Sequence, residues 1–179
     1  ALEPALTVVR ALDAELLLLS VPSYHQIVPP AATGYGMVTT DQVIDLGQDD
    51  AKNYLAALRR EARCRDCRIR TVVVTGDVAG CIVDCAADER VDLIIMTTHG
   101  YSGFTRWMLG SITERVLRGA PCPVLVVREA MPLCKALINL DGSLVAEKAL
   151  EPGLALARIL GCQVTLLRAD TGEDLSSVE

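Results

Sequence analysis

Residues 91–128 decide the fold. They read VDLIIMTTHG (91–100), YSGFTRWMLG (101–110) and SITERVLRGAPCPVLVVR (111–128). The order is apolar run, glycine-bearing loop, short helical segment, second apolar run. Residues 93–96 and 124–127 do not alternate with polar residues, so both read as strands covered on two faces, as in a parallel sheet. Between them Ser111 is placed to cap a helix, and Glu114, three residues on, completes a capping box. Gly110 just before it lets a ligand approach the backbone closely. A helix N-terminus after a glycine loop offers unpaired N–H groups at the positive end of the helix dipole, which suits a phosphate.

Composition narrows the class. The 179 residues are enough for one well-buried α/β domain with some chain left over. A hydrophobic fraction of 51% and a mean hydropathy of +0.34 mark a chain that folds. No apolar run approaches membrane-spanning length, and no secretory signal stands at the N-terminus, so a cytoplasmic protein without a membrane partner is expected. The net charge of −6 gives no support to a nucleic-acid surface. Seven cysteines are an odd number in a chain that is not a small secreted scaffold, which favours a reduced setting over a disulfide framework. Cys64 and Cys67 resemble half a zinc site, and Cys81 and Cys85 are spaced for one helix face. Four ligands must converge for zinc, and nothing in the spacing requires it, so no metal ligand is assigned.

Going back to the start, residues 1–12 read as the last turns of an amphipathic helix with Leu2, Leu6 and Val9 on one face. Residues 15–21 fit a buried strand. Residues 22–40, rich in Pro, Gly, Ser and Thr, read as a loop. Residues 41–63 are helical with an interruption near Gly47, and Tyr54, Leu55 and Leu58 form the apolar face. A strand over 68–75, a turn and cap at Gly76 and Asp77, and a helix over 78–88 lead to the strand at 92–97. Strands alternating with helices at this spacing give βαβ units and a mainly parallel sheet, with right-handed crossovers placing helices on both faces. Ligands of such sheets bind beyond the carboxyl ends of the strands, where the 97–110 loop lies.

The stretch resembles the universal stress protein family. That family's nucleotide-binding signature is Gly, two residues, Gly, nine residues, Gly, then Ser or Thr. Gly100, Gly110 and Ser111 fit it, while Thr97 holds the first glycine's position. The runs Asp92-Leu93-Ile94-Ile95-Met96, Thr98-His99-Gly100 and Ala120-Pro121-Cys122-Pro123-Val124-Leu125-Val126-Val127-Arg128 are similar to the family as well. The resemblance covers nearly the whole chain, from Ala1 to about Asp170. It implies an open, mainly parallel five-stranded sheet with helices on both faces, of the type shared with adenine nucleotide alpha hydrolases.

Residue 131 starts something new. Residues 135–140 read as a strand ending in Asp141-Gly142-Ser143, followed by a helix over 144–160 and a strand over 163–167. Ala149-Leu150-Glu151-Pro152 repeats Ala1-Leu2-Glu3-Pro4, and at the same offset Leu154 matches Leu6, Arg158 matches Arg10, Leu160 matches Leu12, and Leu166 and Leu167 match Leu18 and Leu19. The expected organisation is a tandem one. Residues 1–130 form repeat one without its first strand, 131–170 the first strand, helix and second strand of repeat two, and 171–179 a tail. The strand at 135–140 is equivalent to the one repeat one lacks. About half a dozen residues separate it from the strand at 124–127, whereas a parallel crossover takes roughly a dozen or more. Two arrangements answer this: a domain-swapped dimer, in which a neighbouring chain supplies the strand, or residues of the molecule that lie outside this sequence.

The resemblance implies a site for ATP or another adenine nucleotide, with Mg2+ accompanying the phosphates. Ser111 and the N–H groups of Ile112 and Thr113 would hold phosphate. Gly100 and Gly110 would let backbone lie against ribose or phosphate. His99 sits beside Gly100, and Val21 and Met96 match positions near the adenine, where core packing is an equally good reading. Asp141 matches the family's aspartate after the first strand. By itself it reads as a turn residue. At Thr97 two readings stand, a Cβ that crowds the ribose and a hydroxyl that hydrogen-bonds the nucleotide, and weakened rather than abolished binding is expected. Arg106 reads equally as phosphate contact or solvated charge, and Trp107 as packing. No Walker lysine and no evident catalytic base are present, so no fast hydrolysis is expected; slow hydrolysis stays open. The expected function is a nucleotide-binding stress-response regulator, homodimeric through last-strand pairing, a swap, or both, and read by a signalling partner. The alternative is a dimerising interaction module of the same family that binds no nucleotide.

Overall fold

A computed structural model describes residues 1–22, 40–61, 64–97, 110–128 and 135–168. The chain divides into two compact units, Ala1–Ala130 and Met131–Glu179. The first holds α1 (Leu2–Leu12), β1 (Glu15–Ser20), α2 (Thr40–Arg60), β2 (Arg68–Val73), α3 (Val78–Asp88), β3 (Ile94–Thr97), α4 (Ser111–Gly119) and β4 (Val124–Val127). The second holds β5 (Lys135–Leu140), α5 (Leu144–Glu147), α6 (Leu150–Ile159) and β6 (Gln163–Arg168).

The α/β class with parallel strands stands as expected. All three strand pairs are parallel: β1 with β2, β3 with β4, and β5 with β6. The continuity of the sheet differs from expectation. In place of one five-stranded sheet, the described residues form three separate two-stranded sheets. Joining the first two would take a strand between β1 and β3, and no described segment of the first unit supplies it.

Two cores hold the first unit. Leu6 of α1, Cys64 and Ile69 of β2 are buried together, with Leu2, Leu16, Leu18 and Cys67 packed around them. Ala79 and Ala86 of α3, Ile94 of β3 and Val116 of α4 form the other, backed by Met96, Cys122 and Val124 among others. Small residues on α3 let it sit close to its neighbours. Outside the cores, Arg70 of β2 reaches Glu15 at 3.4 Å and Glu89, past the end of α3, at 2.6 Å.

Three local expectations need correction. First, α2 runs through Gly47 without a break, because Gly47, Ala51 and Leu55 form one buried stripe at four-residue spacing. A mid-helix glycine costs only about 1 kcal/mol, which that packing offsets. Tyr54 lies off the stripe and is 60% exposed. Second, the helix expected over 144–160 is two, α5 and α6. Pro152 has no N–H to donate, and restarting the helix at Leu150 puts it in a first turn, where none is needed. Third, the capping box at Ser111 does not form. Gly110, extended at φ −63° and ψ 146°, is the N-cap, and the helix has no side-chain cap.

Candidate functional site

The site builds from the carboxyl end of β3. Val91, Ile94 and Met96 face the core under α3 and α4. The strand stops at Thr97, whose side chain is exposed. Its carbonyl accepts a hydrogen bond from Thr113 Oγ1 at 3.2 Å. Thr113 is 2% exposed and Val116 fully buried, so the first turns of α4 are pinned directly against the end of β3. The loop that leaves at Thr97 therefore returns beside its own starting point.

The first intrahelical bond of α4 runs from Glu114 N–H to the Gly110 carbonyl, at 2.9 Å. The N–H groups of Ser111, Ile112 and Thr113 precede it, and with the dipole they give this end of the helix a partial positive charge. Ser111 and Ile112 are exposed, whereas the Thr113 side chain is taken up in anchoring. Glu114 does not reach back to the cap. Its carboxylate pairs with Arg118 one turn along, at 2.7 Å. The glycine N-cap has no Cβ to stand between solvent and these N–H groups.

Arg115 leaves the same helix and donates two hydrogen bonds to Asp77, at 2.8 and 2.6 Å. Asp77 is also the N-cap of α3, accepting from Gly80 N–H at 2.9 Å. The guanidinium first, and the Gly80 N–H second, hold the Asp77 carboxyl below the usual carboxylate range. A Cβ at Gly80 would stand 3.1 Å from Asp77 Oδ2, so a larger residue there would press on the capping carboxylate. Both helices start at carboxyl ends of their strands, so the pair ties the start of α3 to the flank of the α4 terminus. Sequence reading identified Asp77 as a cap but missed Arg115. Nothing across 38 residues signals that pair except the topology that lays α3 beside α4.

Of the expected site residues, Met96, Thr97, Gly110, Ser111, Ile112 and Thr113 are brought together at this one end. Met96 is part of the core packing, the reading weighed against an adenine contact. Val21 follows β1, half-buried. His99 and Gly100 lie outside the described residues, as do Arg106 and Trp107. Asp141 belongs to the second unit. Its carboxylate accepts from Ser143 N–H at 2.8 Å, and Ser143 caps α5 through Ala146 N–H. Hydrogen bonds from the Ser143 hydroxyl first, and from its N–H second, hold the Asp141 carboxyl low and fit the turn reading. Among the described residues no three His, Cys, Asp or Glu side chains are grouped to hold a metal ion. No described helix is long and apolar enough to cross a membrane.

A family profile described as the universal stress protein family matches residues 1–128. Universal stress protein MJ0531 of Methanocaldococcus jannaschii is 31% identical over 125 residues, covering 70% of this chain and 71% of that protein. A solved structure of the hypothetical protein MJ0577 aligns at 30% identity with a TM-score of 0.54, over 71% of this chain and 87% of that one. A universal stress protein from Archaeoglobus fulgidus superposes over 96% of this chain and 63% of its own, with a TM-score of 0.72 at 20% identity, a likeness of fold.

Proposed function

The chain belongs to the universal stress protein family, and from that premise we propose that it binds an adenine nucleotide, ATP in the first place, as a regulatory module. One observation carries the reading. The α4 terminus, with a glycine N-cap and no side-chain cap, is pinned at the carboxyl end of β3, on the loop bearing Gly100. Uncapped N–H groups beside an exposed hydroxyl are a donor set for phosphate, and anions are favoured at a helix N-terminus. Ser111 Oγ and the N–H groups of Ser111 and Ile112 bind phosphate oxygens, and Gly110 admits them to the backbone. By the family resemblance His99 and Gly100 belong to the same nucleotide site, and Mg2+ arrives with the phosphates. In this reading the nucleotide acts by stabilising one state of the protein for a signalling partner to read. The assignment to the cytoplasm rests on the free cysteines, which suit a reducing compartment.

A second reading is favoured by Thr97. Its Cβ stands where the family's signature has glycine, which suits a dimerising interaction module without nucleotide. In that case β4 pairs across a homodimer through the edge that β3 leaves open.

Calorimetric titration with ATP and Mg2+ tests the first reading. Any nucleotide that co-purifies is removed beforehand. Saturable binding is expected in the intact chain and loss of it in a folded Gly110→Val, Ser111→Ala variant. No heat from the intact, folded chain selects the second reading.

A further inference from the structure

Cys64 and Cys67 sit on the turn that carries α2 into β2. The Cys67 N–H donates to the Cys64 carbonyl at 3.2 Å, and the Cys64 N–H donates to the Glu61 carbonyl at 2.9 Å. A bond to the third residue back closes a turn whose end Cα atoms lie within about 7 Å of each other. Disulfides span about 4.4–6.8 Å between Cα atoms, so the backbone already holds the two residues within bridging range. Both are thiols in this structure. Cys64 is 2% exposed, in the core with Leu6 and Ile69, and Cys67, half-buried, packs against that core. A reagent from solvent therefore meets Cys67 first, with Cys64 behind it.

The surroundings select the reagent. Six of the twelve residues 59–70 are arginine, in a chain of net charge −6. Arg59, Arg60, Arg65, Arg68 and Arg70 are exposed. Two of them face acids within the fold: Arg68 stands 3.7 Å from Asp13, and Arg70 holds Glu15 and Glu89. Arg59 and Arg60 end α2, and Arg65 lies between the two cysteines. Such a cluster raises the local concentration of a small anion. Other thiols are placed less well. Burial pushes the Cys85 and Cys122 thiols up, and a thiol that keeps its proton is a poor nucleophile.

We propose that Cys64 and Cys67 are a redox-responsive dithiol whose oxidant is a small disulfide bearing carboxylates. Cys67 Sγ, as thiolate, attacks one sulfur of the reagent. The reagent's S–S bond breaks, one thiolate leaves, and a mixed disulfide forms on Cys67. Cys64 Sγ, its proton lost, then attacks Cys67 Sγ, and the second thiolate leaves. The two protons given up by the cysteines end on the two released thiolates. The cysteines lose two electrons, and the reagent is reduced to two thiols. The bridge locks the turn between α2 and β2. In a reducing compartment it is transient, and excess thiol reverses it.

The test uses the whole chain, reduced, freed of reductant and exposed to glutathione disulfide. Acid quenching, alkylation of the remaining thiols and peptide mass mapping read the products. The wild type is expected to lose two hydrogens, about 2 Da, at Cys64 and Cys67, with the other cysteines alkylated. Cys64→Ala, with folding checked by circular dichroism, is expected to stop at a glutathione adduct on Cys67. Should that variant fail to fold, the wild-type map alone decides. Arg60→Gln, Arg65→Gln is expected to slow the reaction roughly threefold or more at low salt. It should leave the rate with uncharged hydroxyethyl disulfide unchanged. A folded wild type in which Cys64 and Cys67 stay reduced overturns the proposal, whether or not another cysteine reacts. So does a glutathione adduct that stops on Cys67 in the wild type. An arginine variant as fast as wild type with glutathione disulfide overturns the choice of an anionic reagent.

Discussion

Thr97 serves the fold through its backbone, and in the proposed nucleotide site its side chain would stand against the ribose. The carbonyl anchors Thr113, and any residue supplies that carbonyl. Thr97→Gly should therefore keep α4 in place and remove the Cβ that would crowd the ribose in the proposed site. Calorimetry should find ATP bound tighter by about fivefold, or about 1 kcal/mol. Thermal unfolding should show a loss of about 0.5–1 kcal/mol, because glycine gives up more conformational freedom on folding. Unchanged affinity would mean that this Cβ meets no ligand. Asp77 makes the complementary case, since its partners act on its charge. Its carboxyl titrates below its unfolded value, so its contribution is full above the unfolded pKa and is lost as pH falls through the folded one. Asp77→Asn should lower the melting temperature at neutral pH, and the gap from wild type should close in acid below the ordinary carboxylate range. A gap constant with pH would assign the effect to the α3 cap alone.

Helix α4 is nine residues long, too short to persist without its packing. Its buried side is Thr113 and Val116, and Ile112 and Leu117 point out, 41% and 43% exposed. Chemical denaturation should show Val116→Ala costing about 2 kcal/mol and Leu117→Ala under about 0.5 kcal/mol. Equal costs would mean that α4 packs on another face. Thr113→Val keeps the shape and deletes the hydroxyl, so it should cost about 1 kcal/mol. It should also weaken ATP binding, since the N–H groups lose their registration to β3. The capping box failed at this same scale. Its sequence signature was correct, but Glu114 found Arg118 and Gly110 took the cap. Local pattern names candidate partners, and competition among them is settled by which geometry the packed helix adopts.

Across the whole molecule the two units are unequal. The second buries only Ile138 and Ala157 among its described residues, and leaves Leu137, Leu144, Val145, Leu166 and Leu167 exposed. So small a core gives little stability by itself. In the monomer, amides of β5 and β6 should exchange with solvent well before those of β3 and β4, which are backed by the Ile94 and Val116 core. Comparable protection in both units of a monomer would contradict this.

The sequence alone determined the elements and the family. Unbroken apolar runs at 93–96 and 124–127 read as strands and fold as β3 and β4, and the glycine spacing from Gly100 to Gly110 and Ser111 carries the resemblance that the profile match upholds. Periodicity and capping chemistry act within a few residues, so β3, α3 and β5 were legible almost to the residue. Gly47 and Tyr54 were misread because burial, not propensity, decides whether a helix continues and which face it hides, whereas the helix over 144–160 was read through Pro152, whose missing N–H favours a restart. Tertiary structure alone decided which strands pair, that Thr113 pins α4 to β3, and that Arg115 crosses to Asp77. These are contacts between segments far apart in the chain. Their formation depends on how elements pack, and no local pattern encodes that.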